Sequence, residues 1–571
     1  MHGSKVEQLW NKEQNLENLK VIDLSFSTHL IKVPDLSQSR KLVHINHFGC
    51  TSLVQIPSYL QCLDKLTHLD MGECSNLKYL QQMPSNIEFL NLSKTAIREL
   101  PSSVWSHEKI SYLDIRFCND LRNLPSSSCK LKLPSSSFSL EGCSCLGKFS
   151  ELPRDLTVLA MIRAKIEVLP SSIEYLFGLN TIRLLDCKRF VSLPSTICNY
   201  PHQLNFISLV KIELTNCKKF VCLPTSICKL KCLSDLDLTG CSKFEDFPEI
   251  FEPMGELKIL SLEGTSVKVL PSSIECLFGL SKIDMKNSKR LFIYNLNRLI
   301  TLRFDGCLKL KKLPPFSVGL HSLEVLNLSY CSTLQIPDHL LCLTSLRDLK
   351  LSGTMIESIP ASIKQASWLF CLSLINCKSL QSLPELPLML YSLKAHGCTL
   401  LNTVSSPRTA LTQGLDGYNL FPGLNQELIF CNCLKLDQDT WNHIMADAQL
   451  RIMRLAFASS KFDKFENYYT RRPSVTIVCP GHEIPNWFSY QNEGSSINIK
   501  LPPDWFYSNF LGFALSLVVG FDNYNVKGSL GFGCKFNFKA NNESNDYNFN
   551  SDHVVVWYSA FELVGLLFNG S

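Results

Sequence analysis

The stretch Leu233 to Pro248, LSDLDLTGCSKFEDFP, most narrows what this chain can become. Its apolar positions are Leu233, Leu236, Leu238, Cys241, Phe244 and Phe247, and their spacing changes along the unit. Leu236, Asp237 and Leu238 alternate in and out as a short strand does, while the remainder turns away and closes on proline. One such unit cannot bury its own apolar edge and needs neighbours of its kind. With Cys241 as the register mark, the pattern recurs at Ser27, Cys50, Cys74, Thr95, Cys118, Cys143, Ala164, Cys187, Cys217, Cys241, Thr265, Ser288, Cys307, Cys331, Thr354, Cys377 and Cys398.

These seventeen marks lie about 23 residues apart on average, within the 20–29 of a leucine-rich repeat. The expected fold is an α/β leucine-rich-repeat solenoid over residues 1–404, a horseshoe with short parallel strands on its concave face. Where Thr or Ala replaces Cys, as at Thr95, Ala164, Thr265 and Thr354, the next apolar residue comes one place early. His47 stands where a strand leucine belongs, the sixth unit is eroded into serines, the unit at Ser288 is cut short, and Asn199 to Phe206 is an insertion. Ser4 to Trp10 reads as the tail of a preceding unit whose strand is missing, so the N-terminal end is expected to be uncapped. Either an upstream part is absent or something else covers that end.

The pattern is expected to stop after Cys398. Residues 405–472 then supply a connecting loop, Ser405 to Gly423, and a helix from Trp441. Trp441, Ile444, Met445, Ala448, Ile452 and Leu455 fall on one face, Asp439 or Thr440 is the expected cap, and the helix is expected to cover the edge of the last repeat. From about Pro473, short apolar runs separated by Pro, Gly and Asn predict an all-β sandwich over 473–571. The runs are Val475–Val478, Ile497–Ile499, Phe510–Phe521, Phe532–Phe538 and Val554–Tyr558, with a polar loop at Asn541–Asn550. Trp487, Trp505, Phe506 and Trp557 read as core or loop anchors.

A net charge of +5, from 56 basic and 51 acidic residues, is too mild to argue for nucleic acid. The longest apolar run, Phe510–Phe521, reads as a buried strand, about half of what spans a bilayer. The polar N-terminus is not a secretory signal. Eleven of the 25 cysteines occupy the mark, where free Cys acts as a small hydrophobe, so a reduced cytoplasmic or nuclear setting is expected. The sequons at Asn91 and Asn327 lie on repeat strands and are discounted.

Gly142 to Lys148 matches the start of a phosphate-binding loop, but Phe149 stands where Ser or Thr should reach magnesium, and Cys143 and Leu146 are core positions. Cys143/Cys145 and Cys431/Cys433 lack zinc spacing. No catalytic constellation is legible, so neither an enzyme nor a cofactor or metal is expected. Surface remains. The central outward position of each strand begins acidic or amide (Asp23, Asn46, Asp70, Asn91, Asp114) and later includes Arg183, Arg303, Lys350 and Lys394. Phe26, Phe48, Tyr112, Phe117 and Tyr330 add aromatics nearby, with Arg116 among them. Taken singly these are solvated polar ladders; as a face they are candidate partner-binding residues, since aromatics and arginines dominate protein interfaces.

Leu233 to Glu275 resembles the leucine-rich repeats of plant intracellular immune receptors of the Toll/interleukin-receptor-like class. Ser4–Ser25 (SKVEQLWNKEQNLENLKVIDLS) resembles their early repeats and Phe430–Leu436 (FCNCLKL) the segment after the repeats. Val475–Pro503 (VTIVCPGHEIPNWFSYQNEGSSINIKLPP) resembles their C-terminal jelly-roll/Ig-like domain, with the resemblance fading after Val554–Tyr558. The resemblance implies defence signalling through recognition of a pathogen effector or a guarded host protein. It also implies partner receptor chains carrying the nucleotide-binding and Toll-like domains, whose motifs are not found in this sequence. A host scaffold or adaptor without an immune role is the alternative.

Overall fold

A left-handed residue ends the strand of nearly every repeat and sets where the chain turns. The residue before the mark has φ between 54° and 75° in each of these turns, whether it is Gly49, Gly240 and Gly397 or Phe26, Glu73, Phe117, Asn216 and Tyr330. In the unit of Cys241, the N–H of the mark donates to Leu238 O at 3.1 Å, closing a turn of the type that requires positive φ at its third residue. The thiol of the mark then reaches back into the preceding unit. Cys50 Sγ donates to Leu24 O at 3.1 Å, Cys241 to Leu214 O at 2.9 Å and Cys377 to Leu351 O at 3.1 Å. Threonine marks instead bond within their own turn, as Thr95 Oγ1 does to Leu92 O at 2.7 Å. After several of the closing prolines the convex side carries short 3-10 segments, such as Ser58–Cys62, Thr225–Lys229 and Ser272–Cys276, preceded by an extended Pro57, Pro224 or Pro271.

The computed structural model describes residues 1–10, 14, 16–133, 138–198, 209–287, 298–308, 320–332, 336, 343–387, 389–405, 425–461, 474–493, 513–519, 530–531, 546–547 and 553–559. They fall into two units, Met1–Leu299 and Ile300–Ser571. In the first, β1 (Val21–Asp23), β2 (His44–Asn46), β3 (His68–Asp70), β4 (Phe89–Asn91) and β5 (Tyr112–Asp114) form a parallel sheet in register. A second parallel run holds β6 (Val158–Ile162), β7 (Thr181–Leu185), β8 (Lys211–Glu213), β9 (Asp235–Asp237), β10 (Ile259–Ser261) and β11 (Lys282–Asp284). Between the two, the serine-eroded sixth unit retains the isolated bridge Leu140 to Met161. Gly3 has φ +67° and Ile31 N donates to Glu7 O, which is the repeat turn and ladder again; the N-terminal segment is the expected repeat tail.

The second unit opens with β12 (Thr301–Arg303), β13 (Val325–Asn327), β14 (Asp348–Lys350) and β15 (Cys371–Ser373). It continues through β16 (Ser382–Leu383), β17 (Ser392–Lys394), β18 (Thr403–Val404) and β19 (Gln426–Ile429). Here the expectation that the pattern stops at Cys398 is corrected. β19 pairs parallel with β17, Asn432 is left-handed at φ 60°, and Cys433 Sγ donates to Ala395 O at 3.0 Å. Cys433 is an eighteenth mark, concealed by the long segment before it.

The helix Gln438–Lys461 starts earlier than expected, and its cap is Asp437, whose carboxylate receives Thr440 N–H at 2.7 Å. It does not cover the edge of the last repeat. That edge is taken by β20 (Ser474–Pro480), which pairs parallel with β19. β21 (Phe513–Val519), the short pair β22 (Leu530–Gly531) and β23 (Asp546–Tyr547), and β24 (His553–Ser559) follow. β24 lies antiparallel between β20 and β21. β21 is the strand expected inside Phe510–Phe521 but is not buried throughout: Leu517 is 39% and Val518 37% exposed. β23 falls within the expected polar loop. The mark Ser288 with residues 289–297, the insertion 199–206, loop residues 406–423, the runs 497–499 and 532–538, Trp505 and Phe506 lie outside the described residues, as does the side chain of Trp557. No helix among the described residues is long and apolar enough to cross a membrane.

The packing of marks and strands can be tested at two buried positions. Replacing Cys241 by Ala removes the thiol bond to Leu214 O, which keeps the N–H of Cys217, and should cost about 1 kcal/mol in denaturant unfolding. His47 is fully buried with neither ring nitrogen partnered among the described residues, and burial pushes its pKa down to about 4. Stability is therefore full above pH ~6.5, where even the unfolded imidazole is neutral. It falls toward pH 4 as the unfolded chain gains a proton that the folded chain refuses, and levels off below that. His47→Leu should remove up to about 3 kcal/mol of this slope, measured as the difference in pH-dependent unfolding from the unsubstituted chain.

Candidate protein interface on the strand face

In-register pairing turns each outward strand position into a column with a pitch of about 4.8 Å. The first column over β2 to β5 is aromatic: His44, His68, Phe89 and Tyr112. Their rings stack with centroids 5.4, 5.8 and 4.4 Å apart and planes within 16° of parallel. All four are partly exposed. Of this ladder only Tyr112 was a sequence candidate; the residue six places before each mark would have revealed the rest.

The second column, read as display surface, is largely structural. Asp23, Asn46, Asp70, Asn91, Asp114, Asp237 and Asn327 each accept, through the side-chain oxygen, the N–H two residues on, at 2.8–3.1 Å. These carboxylates and amides brace the turn that ends their own strand. Ser25 holds the Asp23 carboxyl below the usual range through two hydrogen bonds, whereas burial lifts that of Asp70.

Among the sequence candidates, the cations are engaged. Arg116 grips Asp114 with both Nε and Nη2, at 3.0 and 2.7 Å. Arg183 pairs with Glu213, which Lys211 also contacts at 2.6 Å. Burial opposes ionisation of Glu213, but its hydrogen bonds to Lys211 and Arg183 bring its pKa below the ordinary value. Arg303 pairs with Asp305 at 3.3 Å, Lys350 with Asp348 at 3.2 Å and Lys394 with Glu427 at 3.1 Å.

The aromatic candidates pack as well as project. Phe26 and Phe48 meet edge to face at 5.3 Å, and Phe26 also meets His2. Phe26, Phe117 and Tyr330 sit at left-handed positions, each with its ring over the glycine one unit on, respectively Gly49, Gly142 and Gly353. Phe48 lies likewise over Gly72. All the same, Phe26 remains 48% exposed and Phe117 41%, so their outer surfaces stay open to a partner. Tyr112 ends the ladder with its hydroxyl 3.5 Å from Asp114 Oδ2, and burial raises its phenol. Gly142 to Lys148 forms an ordinary repeat turn, with Cys143 and Leu146 in the core.

The C-JID domain family matches residues 479–568, ten residues past Tyr558, where the resemblance was expected to fade. Disease resistance-like protein DSC1 of Arabidopsis thaliana is 32% identical over 91% of this chain and 34% of its own length. Disease resistance protein RPP2B of the same plant is 31% identical over 94% of this chain and 36% of its own. TMV resistance protein N of Nicotiana glutinosa is 27% identical over 90% and 36%. A leucine-rich-repeat protein of Leptospira interrogans, at 19% identity and a TM-score of 0.40, covers 76% of this chain and 94% of its own. The chain spans about a third of the length of the curated plant relatives it matches. Its similarity is to the leucine-rich-repeat region and the C-JID domain after it in plant disease resistance proteins of the Toll/interleukin-receptor-like, nucleotide-binding class.

The ring-over-glycine contacts give a prediction. A Cβ on Gly142 would strike the Phe117 ring and sit at φ +73°, so Gly142→Ala should cost about 2–3 kcal/mol. In a Phe117→Ala background the ring clash vanishes, leaving the 3.0 Å approach to the Cα of residue 117 and the backbone strain, so the penalty should fall by about 1 kcal/mol. Thermal unfolding of the double-mutant cycle measures the difference.

Proposed function

We propose that this chain is the recognition part of a plant defence receptor: it binds a pathogen effector or a guarded host protein and performs no catalysis itself. The observation that carries this reading is the ladder His44, His68, Phe89 and Tyr112, a stacked aromatic surface left on the open strand face instead of in the core. Rigid rings of this kind offer large contact area at little entropic cost, as interface hot spots do. The names of the plant relatives, disease resistance proteins among them, support the defence role.

In this reading Phe26, Phe48, Arg116 and Phe117 extend the contact around the ladder. Arg183, Arg303, Lys350 and Lys394 then present pairs of charges instead of lone cations. The C-terminal region adds a jelly-roll/Ig-like second surface, and the chain works in the cytoplasm or nucleus. Receptor chains carrying nucleotide-binding and Toll-like domains act alongside it to signal.

The test is binding of the purified full chain to an array of effectors from plant pathogens and to their host targets. The triple variant His68→Ala, Phe89→Ala, Tyr112→Ala should lose at least about tenfold in affinity for a bound protein while keeping its circular dichroism spectrum. Equal binding by the variant would sink the assignment of this face. A constitutive host complex indifferent to infection would favour the scaffold alternative instead.

A further inference from the structure

We propose that Asp70 is the seat of an arginine guanidinium supplied by a protein partner, an inference that rests on the strand face being the recognition surface. The chain contains its own template for such a contact. Along β5 and the turn that follows it, Tyr112, Asp114 and Arg116 occupy alternate positions, and Arg116 folds its fork onto both oxygens of Asp114. With that fork in place Asp114 is only 5% exposed.

Along β3 and its turn the corresponding residues are His68, Asp70 and Gly72. The ring and the carboxylate are kept, and the arginine is gone. Asp70 Oδ1 receives Gly72 N–H at 3.0 Å and Asn91 Nδ2 at 2.9 Å. Its other oxygen receives no hydrogen bond, and the carboxylate has no ion pair, among the described residues. Asp70 stays partly exposed.

A Cβ on Gly72 would lie 2.5 Å from Asn91 Nδ2 and 2.9 Å from Phe48 Cδ2, so the missing side chain is what lets Asn91 reach Asp70 Oδ1 and the Phe48 ring lie over Gly72, while the second carboxylate oxygen keeps no donor among the described residues. Burial already lifts the Asp70 carboxyl above its ordinary range, an imbalance that a cation on it would relieve. Arginine suits the place better than lysine. Its planar fork matches a carboxylate and its flat face lies well against rings such as His68 and Phe48, whereas an ammonium is a strongly hydrated point charge.

Asp70→Asn is a clean probe, because Asn46 and Asn91 brace their turns through the same side-chain oxygen and the substitution keeps that bond. Saturation-transfer NMR on the full chain would use N-acetyl-arginine N-methylamide, its lysine counterpart and its uncharged citrulline counterpart. The arginine probe should bind saturably, with lysine at least about tenfold weaker and citrulline silent. Asp70→Asn should abolish the arginine signal. Arginine binding unchanged in Asp70→Asn, or no saturable binding at all, overturns the proposal. In the protein-binding assay the two ideas separate. A partner lost to the ladder variant but retained by Asp70→Asn ends the guanidinium site and leaves the recognition face standing. A partner retained by both ends the recognition face as well.

Discussion

A thiol that reaches one unit back holds this protein together in a way its strands alone cannot. Three-residue strands offer few ladder hydrogen bonds, and they sit on one side of each coil. The mark cysteine works from inside, tying its turn to the carbonyl that ended the previous strand, from Cys50 on Leu24 to Cys433 on Ala395. Each bond contributes on the order of 1 kcal/mol. Because each ties only neighbours, stability accumulates unit by unit. A small hydrophobe such as Ala164 fills the same space, but the carbonyl then keeps only the N–H of its own turn, as Leu24 O does from Ser27, and loses its second donor. Threonine units place their hydroxyl on the carbonyl of their own turn instead, as Thr95 does on Leu92 O, and have one residue fewer.

Most of this framework was legible because apolar spacing repeats and few folds share that spacing. The strands and the proline-led convex segments lie where the marks place them. Two errors have physical causes. The unit of Cys433 is hidden in the sequence because it comes 35 residues after Cys398, well beyond the mean repeat spacing of about 23. The helix cap was misplaced because Asp437, Asp439 and Thr440 all have capping side chains, and only the local geometry chooses Asp437.

The candidate face was harder to read. Aspartate and asparagine at strand centres look like display residues, yet their oxygens are within reach of the N–H two places on, and bracing that turn takes precedence. Basic residues in the same column look like free cations until the adjoining carboxylates, from a neighbouring strand or the same one, are placed beside them. Conversely, His44, His68 and Phe89 passed unnoticed since they are distant in sequence. Only parallel registration brings their rings into one stack. Sequence spacing reports what a coil buries far better than what it shows.

The parallel pairing of β19 with β20 has a mechanical consequence. Four residue pairs, from Gln426 with Val475 to Ile429 with Val478, join the last repeat to the strand from which the following sheet grows. β20 is buried along nearly its whole length and continues directly into pairing with β24. A hinge would need those bonds to break together, leaving backbone groups unpaired in an apolar setting. The junction therefore behaves as a weld: a torque applied to the C-terminal sheet passes into the final repeats instead of being absorbed by a loop.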